Sequence, residues 1–554
     1  MKVATALIGT LLLSSSYLLG NCTSKFKDHI VHYADEHNPE NRIITINYDK
    51  MKLLDLKDIP GDTNHHADVM GKLDKAHYMM LVPKGSYFVH FYDLKNNNFV
   101  KKIRLPFRPR SADAYNEKYN LVLLNSRDRP AGVLIDVEKL KIVGKAGFNI
   151  KCSQDTPLPL SPKTVYDTIN NFDPNFKCLP IDFGGDQISG HPIWISSESF
   201  VLIDRANRLL HVYKIKKRED GEFDTKLIQT LKTDTSLHQL IPKTSNKNNR
   251  VFYGMTEGNA AQNLVAGVYK YVVKNHRLKK IKFRKLAFDG LFGVNGHNLY
   301  ITPDKKYLYA PAGATLQQDI NTIASEDLDW VERNLKNEKL KKSYKRLVKL
   351  FLRKAIKDNE VYDYEKVKKL FRKFAKQNDY TPKRIPSLEE YIATNFSKNI
   401  TFIPEGAIYV VNSKNLRVEK RVQAGKGAGH VAFSTATNVA IVTNHLDDYM
   451  TAIDFKEHKF LKNINLNFEH ENIFNLSQSH MQYVSKDGKY YYNFWSDGGV
   501  FYRINLAELD VDSSIYVGGI PIQGNFYETI NQSCDSNVSA DDGFEQYFEG
   551  DSAE

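Results

Sequence analysis

The sequence predicts an all-β fold, a β-propeller of about seven blades with an α-helical insertion in one blade. Three observations predict it. A unit of short apolar strands recurs along the chain, polar turn residues separate the strands, and one basic stretch interrupts the repeat with helical periodicity. The chain has 554 residues, of which 31 are Tyr and 30 are Phe, residues that suit half-buried strands. Its 42% hydrophobic content is that of a globular protein and excludes a disordered chain.

The clearest copy of the unit covers residues 429–464. It opens with Gly429-His430, continues through the apolar run 439–444, and reaches a third strand that ends in Ile453-Asp454. A fourth strand is predicted at 459–464. Each piece has strand length and is bounded by turn residues, so the copy reads as one four-stranded blade.

Other copies follow the same order of strands. Units begin near residues 65, 111, 190, 237, 296 and 479, which with the copy at 429 makes about seven. We expect the early strand 43–47 to close the ring by pairing with the last blade, because radial repetition leaves only short, protected edges. The propeller is therefore assigned to residues 40–520 and a C-terminal tail to 521–554.

Residues 317–399 break the repeat inside the fifth unit. Apolar residues there recur at helical spacing, and Ser387 with Glu390 is spaced as a capping box for a short helix. Strand patterning resumes at Gly406, so the segment is predicted to be an insertion within one blade. Two apolar stripes define its helices: Leu340, Tyr344, Leu347, Val348, Phe351, Leu352 and Ala355, then Tyr364, Val367, Leu370, Phe371 and Phe374.

The N-terminus has the pattern of a secretory signal over residues 1–22. Lys2 precedes an apolar stretch, and 19–22 is similar to a lipoprotein box ending at Cys22. A membrane anchor is the alternative, but the apolar part is short for a spanning helix. We therefore expect an exported, periplasmic protein, with lipid attachment at Cys22 left open.

Few cysteines remain after such processing. Cys152 and Cys178 flank a Pro-rich loop, where either a local disulfide or two separate thiols fit the sequence. The chain contains no Cys-x-x-Cys-His, which excludes c-type haem. It also contains no P-loop, no Gly-x-Ser-x-Gly and no His-Glu-x-x-His.

Segments 429–454, 296–304 and 486–490 resemble the YVTN-type propellers, which are related in architecture to the cytochrome d1 domain and the propeller of nitrous oxide reductase. The resemblance covers about residues 40–520 apart from the insertion. Nitrous oxide reductase gathers seven histidines at blade starts around a copper–sulfide cluster. By that resemblance, copper is the implied cofactor and the implied ligands are His65, His66, His191, His238, His297, His430 and His480.

This sequence departs from that pattern in two ways. The unit near Ser111 supplies no histidine, and no C-terminal cupredoxin sequence follows the last blade. Both departures count against nitrous oxide reduction by this chain alone. An architecture by itself does not define the chemistry that a protein performs.

The histidine positions also carry an argument of their own. Seven of the 17 histidines occupy one repeat position, which would direct them into one central funnel. Imidazole binds copper, zinc, iron and nickel, so a metal centre with redox chemistry on a small molecule is our leading interpretation. Ring histidines that bind an organic or anionic ligand, or that serve structure only, are the alternatives. Four other histidines lie within strands or turns and are expected to be packing or surface residues: His77, His90, His211 and His445.

The net charge of +12 is concentrated in the insertion. Residues 331–376 contain 17 Lys or Arg against six Asp or Glu. Such helices dock an acidic electron-donor protein or an anionic membrane surface, or they simply form a solvated face. Docking of a protein or a membrane gives a second interpretation, in which the chain is a non-enzymatic platform for such contacts. Nucleic acid is not an expected partner of an exported chain.

Overall fold

Short antiparallel sheets account for most of the chain in the computed structural model. It describes residues 30–35, 42–58, 64–70, 78–83, 87–93, 98–112, 114–127, 129–148, 189–244, 250–377, 386–468 and 482–527. The predicted signal at 1–22, Cys152, Cys178 and Cys534 all lie outside these ranges. Among the described helices, none combines the length and apolarity needed to cross a membrane.

The strands of the first half form four units of four strands. Sheet 1 combines both ends of the chain: β1 Ile30–Asp35, β2 Arg42–Asn47, β3 Lys52–Asp58 and β35 Pro521–Tyr527. Sheet 2 contains β4 Asn64–Met70, β5 Tyr78–Pro83, β6 Phe88–Asp93 and β7 Asn98–Arg104. Sheet 3 contains β8 Ala114–Asn116, β9 Leu121–Asn125, β10 Gly132–Asp136 and β11 Lys141–Ala146. Sheet 4 contains β12 Ile193–Ser196, β13 Ser199–Asp204, β14 Leu209–Lys217 and β15 Phe223–Lys232.

The second half continues in the same way, except that sheet 6 has seven strands. Sheet 5 contains β16 Leu237–Pro242, β17 Val251–Thr256, β18 Gly267–Lys274 and β19 Arg277–Lys285. Sheet 6 contains β20 Ala287–Phe288, β21 Leu291–Gly296, β22 Tyr300–Ile301, β23 Tyr307–Gln317, β24 Thr401–Ile403, β25 Glu405–Asn412 and β26 Val418–Lys426. Sheet 7 contains β27 Ala428–Ser434, β28 Val439–Asn444, β29 Tyr449–Asp454 and β30 Lys459–Asn465. Sheet 8 contains β31 Tyr483–Val484, β32 Tyr490–Trp495, β33 Val500–Asn505 and β34 Asp510–Tyr516.

Burial within each sheet explains the strand pattern of the sequence. Second strands such as β9 and β28 are buried along their whole length, whereas the outer strand β3 alternates between exposed and half-buried residues. The apolar runs therefore belong to strands covered on both faces. The Asp that ends the third strand caps the following turn, because the Oδ1 atoms of Asp136 and Asp454 each accept hydrogen bonds from two backbone N–H groups.

Each sheet packs against the next, and the ring closes on itself. Separate apolar clusters join every consecutive pair; one contains Leu123 of sheet 3 and Phe200 of sheet 4. The last pair is joined by Ile44 of sheet 1 and Tyr492 of sheet 8. Sheets 3 and 4 also share a single parallel pairing, Gly144 with Phe223. The predicted all-β propeller with a helical insertion is thereby confirmed.

Sheet 1 differs from the closure that we expected. Strand β2, which contains the early strand 43–47, pairs with β1 and β3. It does not pair with sheet 8, the last blade, as we had expected. Strand β1 in turn pairs with β35, so residues 521–527, assigned to a tail, are a strand of the ring. The pairing of the two ends adds one four-stranded unit to the seven that the repeat indicates.

The insertion leaves sheet 6 after β23 and returns at β24. Its helices are α1 Ile320–Asn334, α2 Glu338–Asp358, α3 Tyr364–Gln377 and α4 Pro386–Lys398. Their buried faces form one cluster that also takes in Phe292 and Leu316 of sheet 6. The buried Gln318 side chain donates to the carbonyls of Tyr362 and Phe396, which fixes the base of the insertion.

The helices of the insertion differ from the prediction in their number and in the role of Glu390. Helix α1 was not anticipated, although it supplies Ile323 and Val331 to the shared cluster. The Glu390 carboxylate, predicted to belong to a capping box, instead accepts hydrogen bonds from Tyr364 and Lys368 on α3. The side chain of Ser387 lies outside the described residues.

Candidate metal centre

Four predicted histidines come together where sheets 4 to 7 begin. His238 lies in β16 and His430 in β27, while His191 and His297 lie beside β12 and β21. Their rings form a chain, with centroids 5.0 Å apart between His191 and His238, 4.5 Å between His238 and His297, and 5.0 Å between His297 and His430. Histidines that share one position in the sequence repeat therefore lie together in one cluster.

The other predicted ligands cannot be placed in this cluster. His65 and His66 lie on β4, whose side chains are outside the described part, and His480 falls in an undescribed segment.

His445 is a member that the sequence analysis missed. We assigned it to packing or the surface, but its buried ring lies 5.0 Å from that of His430 and 5.9 Å from that of His297, centroid to centroid. Ligand nitrogens of these three histidines all lie within 4.8 Å of one another. A point within about 2.8 Å of all three nitrogens therefore exists, so inward shifts of roughly 0.7 Å would reach metal–imidazole bond lengths.

Glycine before the histidine is explained by close packing near the centre. A Cβ atom on Gly190 would lie 2.4 Å from the carbonyl oxygen of His238, and one on Gly429 would lie 2.6 Å from the His445 ring. Both distances are shorter than carbon atoms tolerate. Gly190 thus lets the first strands of sheets 4 and 5 approach, and Gly429 leaves room for the His445 ring within sheet 7.

Glu257 orients the His238 ring. Its Oε1 lies 2.7 Å from Nδ1 of His238 and 2.6 Å from Nη2 of Arg205. Nε2 of His238 is buried and has no hydrogen-bond partner among the described residues. Histidines that bind a metal are usually held in this way, with one imidazole nitrogen bonded to a carboxylate and the other free to face the metal.

The neutral form of two rings is favoured by their surroundings. Burial, followed by the neighbouring His297 and His191 and by Arg205, holds the pKa of His238 well below its ordinary value. Burial and the adjacent His445 do the same to the pKa of His297. Only a neutral imidazole has a lone pair for a metal.

His191 and His430 are held by neighbours of different kinds. Nη2 of Arg110 lies 3.3 Å from Nε2 of His191, whose Nδ1 lies 3.1 Å from the Ser111 hydroxyl. Both nitrogens of His191 are thus engaged, which makes it an unsuitable ligand in this arrangement. Nδ1 of His430 lies 2.7 Å from the Tyr300 hydroxyl, so Nε2 is the nitrogen that would coordinate.

A repeat signal for the missed residues does exist. Arg205, Glu257 and His445 each directly follow the second strand of their sheet, at the ends of β13, β17 and β28. Aligning that position, as well as the first strand, would have found them. In sheet 3, which lacks the histidine, Arg110 and Ser111 contact the ring of the next sheet instead.

Comparisons with known proteins bear on the fold. No protein-family model matches the sequence, and no curated protein matches it. Among solved structures, dihydro-heme d1 dehydrogenase NirN in complex with DHE matches with a TM-score of 0.50 at 11% identity, covering 91% of this chain and 76% of that chain. The chain is a β-propeller. At this identity the similarity shows the fold alone.

Two further solved structures are less similar. AztD from Citrobacter koseri has a TM-score of 0.45 at 10% identity and covers 90% of this chain and 98% of its own. The periplasmic gluconolactonase PpgL of Pseudomonas aeruginosa has a TM-score of 0.41 at 10% identity, covering 78% and 94%. The match to NirN supports the propeller fold, whereas the YVTN and nitrous oxide reductase parts of the resemblance stay predictions.

Proposed function

We propose that this propeller binds a transition-metal ion through His297, His430 and His445. The observation that carries the proposal is the approach of three imidazole nitrogens to within 4.8 Å of one another, close to the geometry of a three-histidine site. Imidazole ligands suit copper, zinc, iron and nickel, and among divalent ions copper binds such sites most strongly. We favour copper.

His238 is the proposed additional ligand. Its ring lies 4.5 Å from that of His297, and Glu257 fixes its orientation. A set of three or four imidazoles leaves coordination positions for a small molecule. We propose that a bound copper ion supplies redox chemistry there, with electrons delivered by a separate protein.

The proposed setting is the periplasm. It rests on the signal-like residues 1–22 and on the lipoprotein-like sequence that ends at Cys22. Mass spectrometry of the mature chain tests it: an N-terminus at or near residue 22, with or without lipid, is expected. An unprocessed chain that starts at residue 1 would contradict export by this route.

Calorimetric titration with Cu(II) and Zn(II) tests the metal site. Metal-free protein should take up ion, and the double variant His430→Gln/His445→Gln should bind at least roughly 100-fold more weakly, since it loses two of three ligands. A matched control is His90→Gln/His211→Gln, which alters two buried histidines outside the cluster. The proposal fails if the wild type binds no metal, or if both double variants lose affinity equally.

Metal analysis of protein purified from its native compartment complements the titration. Copper at a fixed ratio to protein, lost together with the cluster histidines, is the expected result. Another metal held by the same histidines would correct the identity of the ion and leave the site in place.

A further inference from the structure

Six cations form a row on helix α2. Their spacing of three or four residues places them on one face of the helix, because each residue advances about 100° around the axis. All six are exposed. We call this row the basic ridge, and it consists of Lys339, Lys342, Arg346, Lys349, Arg353 and Lys357.

The ridge lies opposite the buried face of the same helix. Tyr344, Leu347, Phe351 and Ala355 point into the core of the insertion, about half a turn away from the ridge. Because that apolar face is already covered, α2 cannot also bury it in a partner. Any contact through the ridge is therefore made by its charged side chains.

Lysines beside the ridge are neutralised, whereas those in it are not. Lys341 and Lys345 pair with Glu332, and Lys354 pairs with Asp358. Within the described ranges, no ridge residue forms an ion pair. Six uncompensated charges in a row lower the stability of the free chain through mutual repulsion, which an anionic partner would relieve.

We propose that the basic ridge docks the protein on an anionic lipid surface. Lys339 and Lys357 are about 27 Å apart along the axis, and four to eight basic residues on an amphipathic helix are typical of such binding. A specific protein interface needs an apolar or aromatic centre, whereas the described apolar side chains nearest the ridge are two isolated ones, the half-buried Leu350 and Ile356, which is 51% exposed. Mobile lipid headgroups can match a line of charges without such a centre.

Vesicle co-sedimentation tests this proposal, which is independent of the metal site. The full-length protein is mixed with vesicles of phosphatidylcholine alone or with added phosphatidylglycerol, at low and at high salt. The ridge variant combines Lys342→Gln, Arg346→Gln, Lys349→Gln and Arg353→Gln. The matched control removes four exposed charges from sheets 4 and 5: Lys216→Gln, Lys217→Gln, Lys274→Gln and Lys279→Gln.

The wild type and the control should bind the anionic vesicles, and the ridge variant should bind roughly 100-fold more weakly or worse. Binding should also fall as salt rises, because exposed charges are screened over about 8 Å at physiological ionic strength. Equal loss in the control would show that only net charge matters and would overturn the proposal. So would ridge-dependent binding to poly-glutamate with no binding to anionic vesicles, which would indicate an acidic protein partner.

Discussion

Asp327 is the buried carboxyl group with which the helical insertion should respond to pH. It lies on α1 with 1% of its surface exposed, and its Oδ1 accepts a hydrogen bond of 2.9 Å from Nδ2 of Asn395 on α4. Its Oδ2 is buried without a hydrogen-bond partner among the described residues. Burial, helped slightly by Glu326, raises the pKa of Asp327 to about 7.

The direction of the effect follows from proton binding. Between the ordinary pKa of 3.8 and about 7, the folded chain holds a proton on Asp327 that the unfolded chain has released. The stabilisation from the protonated carboxyl is therefore complete below pH 3.8 and is lost as pH rises through about 7. At about 1.4 kcal/mol per tenfold change, the shift corresponds to an upper value of about 4 kcal/mol.

Asp327→Asn should remove this dependence. The amide has the same shape and is never ionised, so the variant should match the wild type below pH 3.8, become progressively more stable than it as pH rises, and remain more stable at pH 8. Urea unfolding followed by circular dichroism at 222 nm is the assay, because all the described α-helices lie in the insertion. Asp329→Asn, an exposed position on the same helix, is the control and should change little.

An Asp327→Asn variant that keeps the pH dependence of the wild type would show that Asp327 is not the group responsible for it. So would a variant that is less stable than the wild type at pH 8. Either result would mean that the carboxyl is solvated, or paired, in the folded protein.

Three more predictions follow from the site and the insertion. Gly429→Ala should displace the His445 ring and weaken metal binding at least tenfold by calorimetry, since the new Cβ would lie 2.6 Å from that ring. Glu257→Gln should lower metal affinity roughly 10- to 100-fold in the same assay, because the hydrogen bond that orients His238 changes; unchanged affinity would exclude His238 as a ligand. Excision of residues 320–398 should leave a folded propeller by size-exclusion chromatography and circular dichroism, because residues 317 and 401 are already paired. Aggregated protein would show that the helices are needed to cover sheet 6.

Much of the fold could be predicted from the sequence because each repeat consists of local patterns of apolar and turn residues. The run 439–444 is buried on both faces and so consists almost entirely of apolar residues, and Asp454 ends its strand because its carboxylate caps the next turn. The pairing of β1 with β35 could not be predicted from such local patterns. It joins segments almost 500 residues apart, and no local pattern specifies a partner at that distance.

Only part of the candidate metal site could be predicted from the sequence, for a related reason. Histidines at the start of a unit mark one repeat position, and the structure brings four of them together, three of which follow glycine. Glu257 and His445 share one repeat position, after the second strand, and Arg110 lies at the unit start where other sheets carry the histidine. The residue type at these positions differs from sheet to sheet, so only an alignment of the positions, and not a repeated residue, would mark them. Their role depends on which rings they contact, and that is decided by how neighbouring sheets pack.

The most direct test of the central claim is to locate the metal itself. Crystals of metal-free protein soaked in Cu(II) would be measured at the copper absorption edge to obtain an anomalous difference map. One strong peak is expected about 2.0–2.1 Å from nitrogens of His297, His430 and His445. No peak in this cluster, or a peak held by surface residues with these three rings unmoved, would contradict the claim.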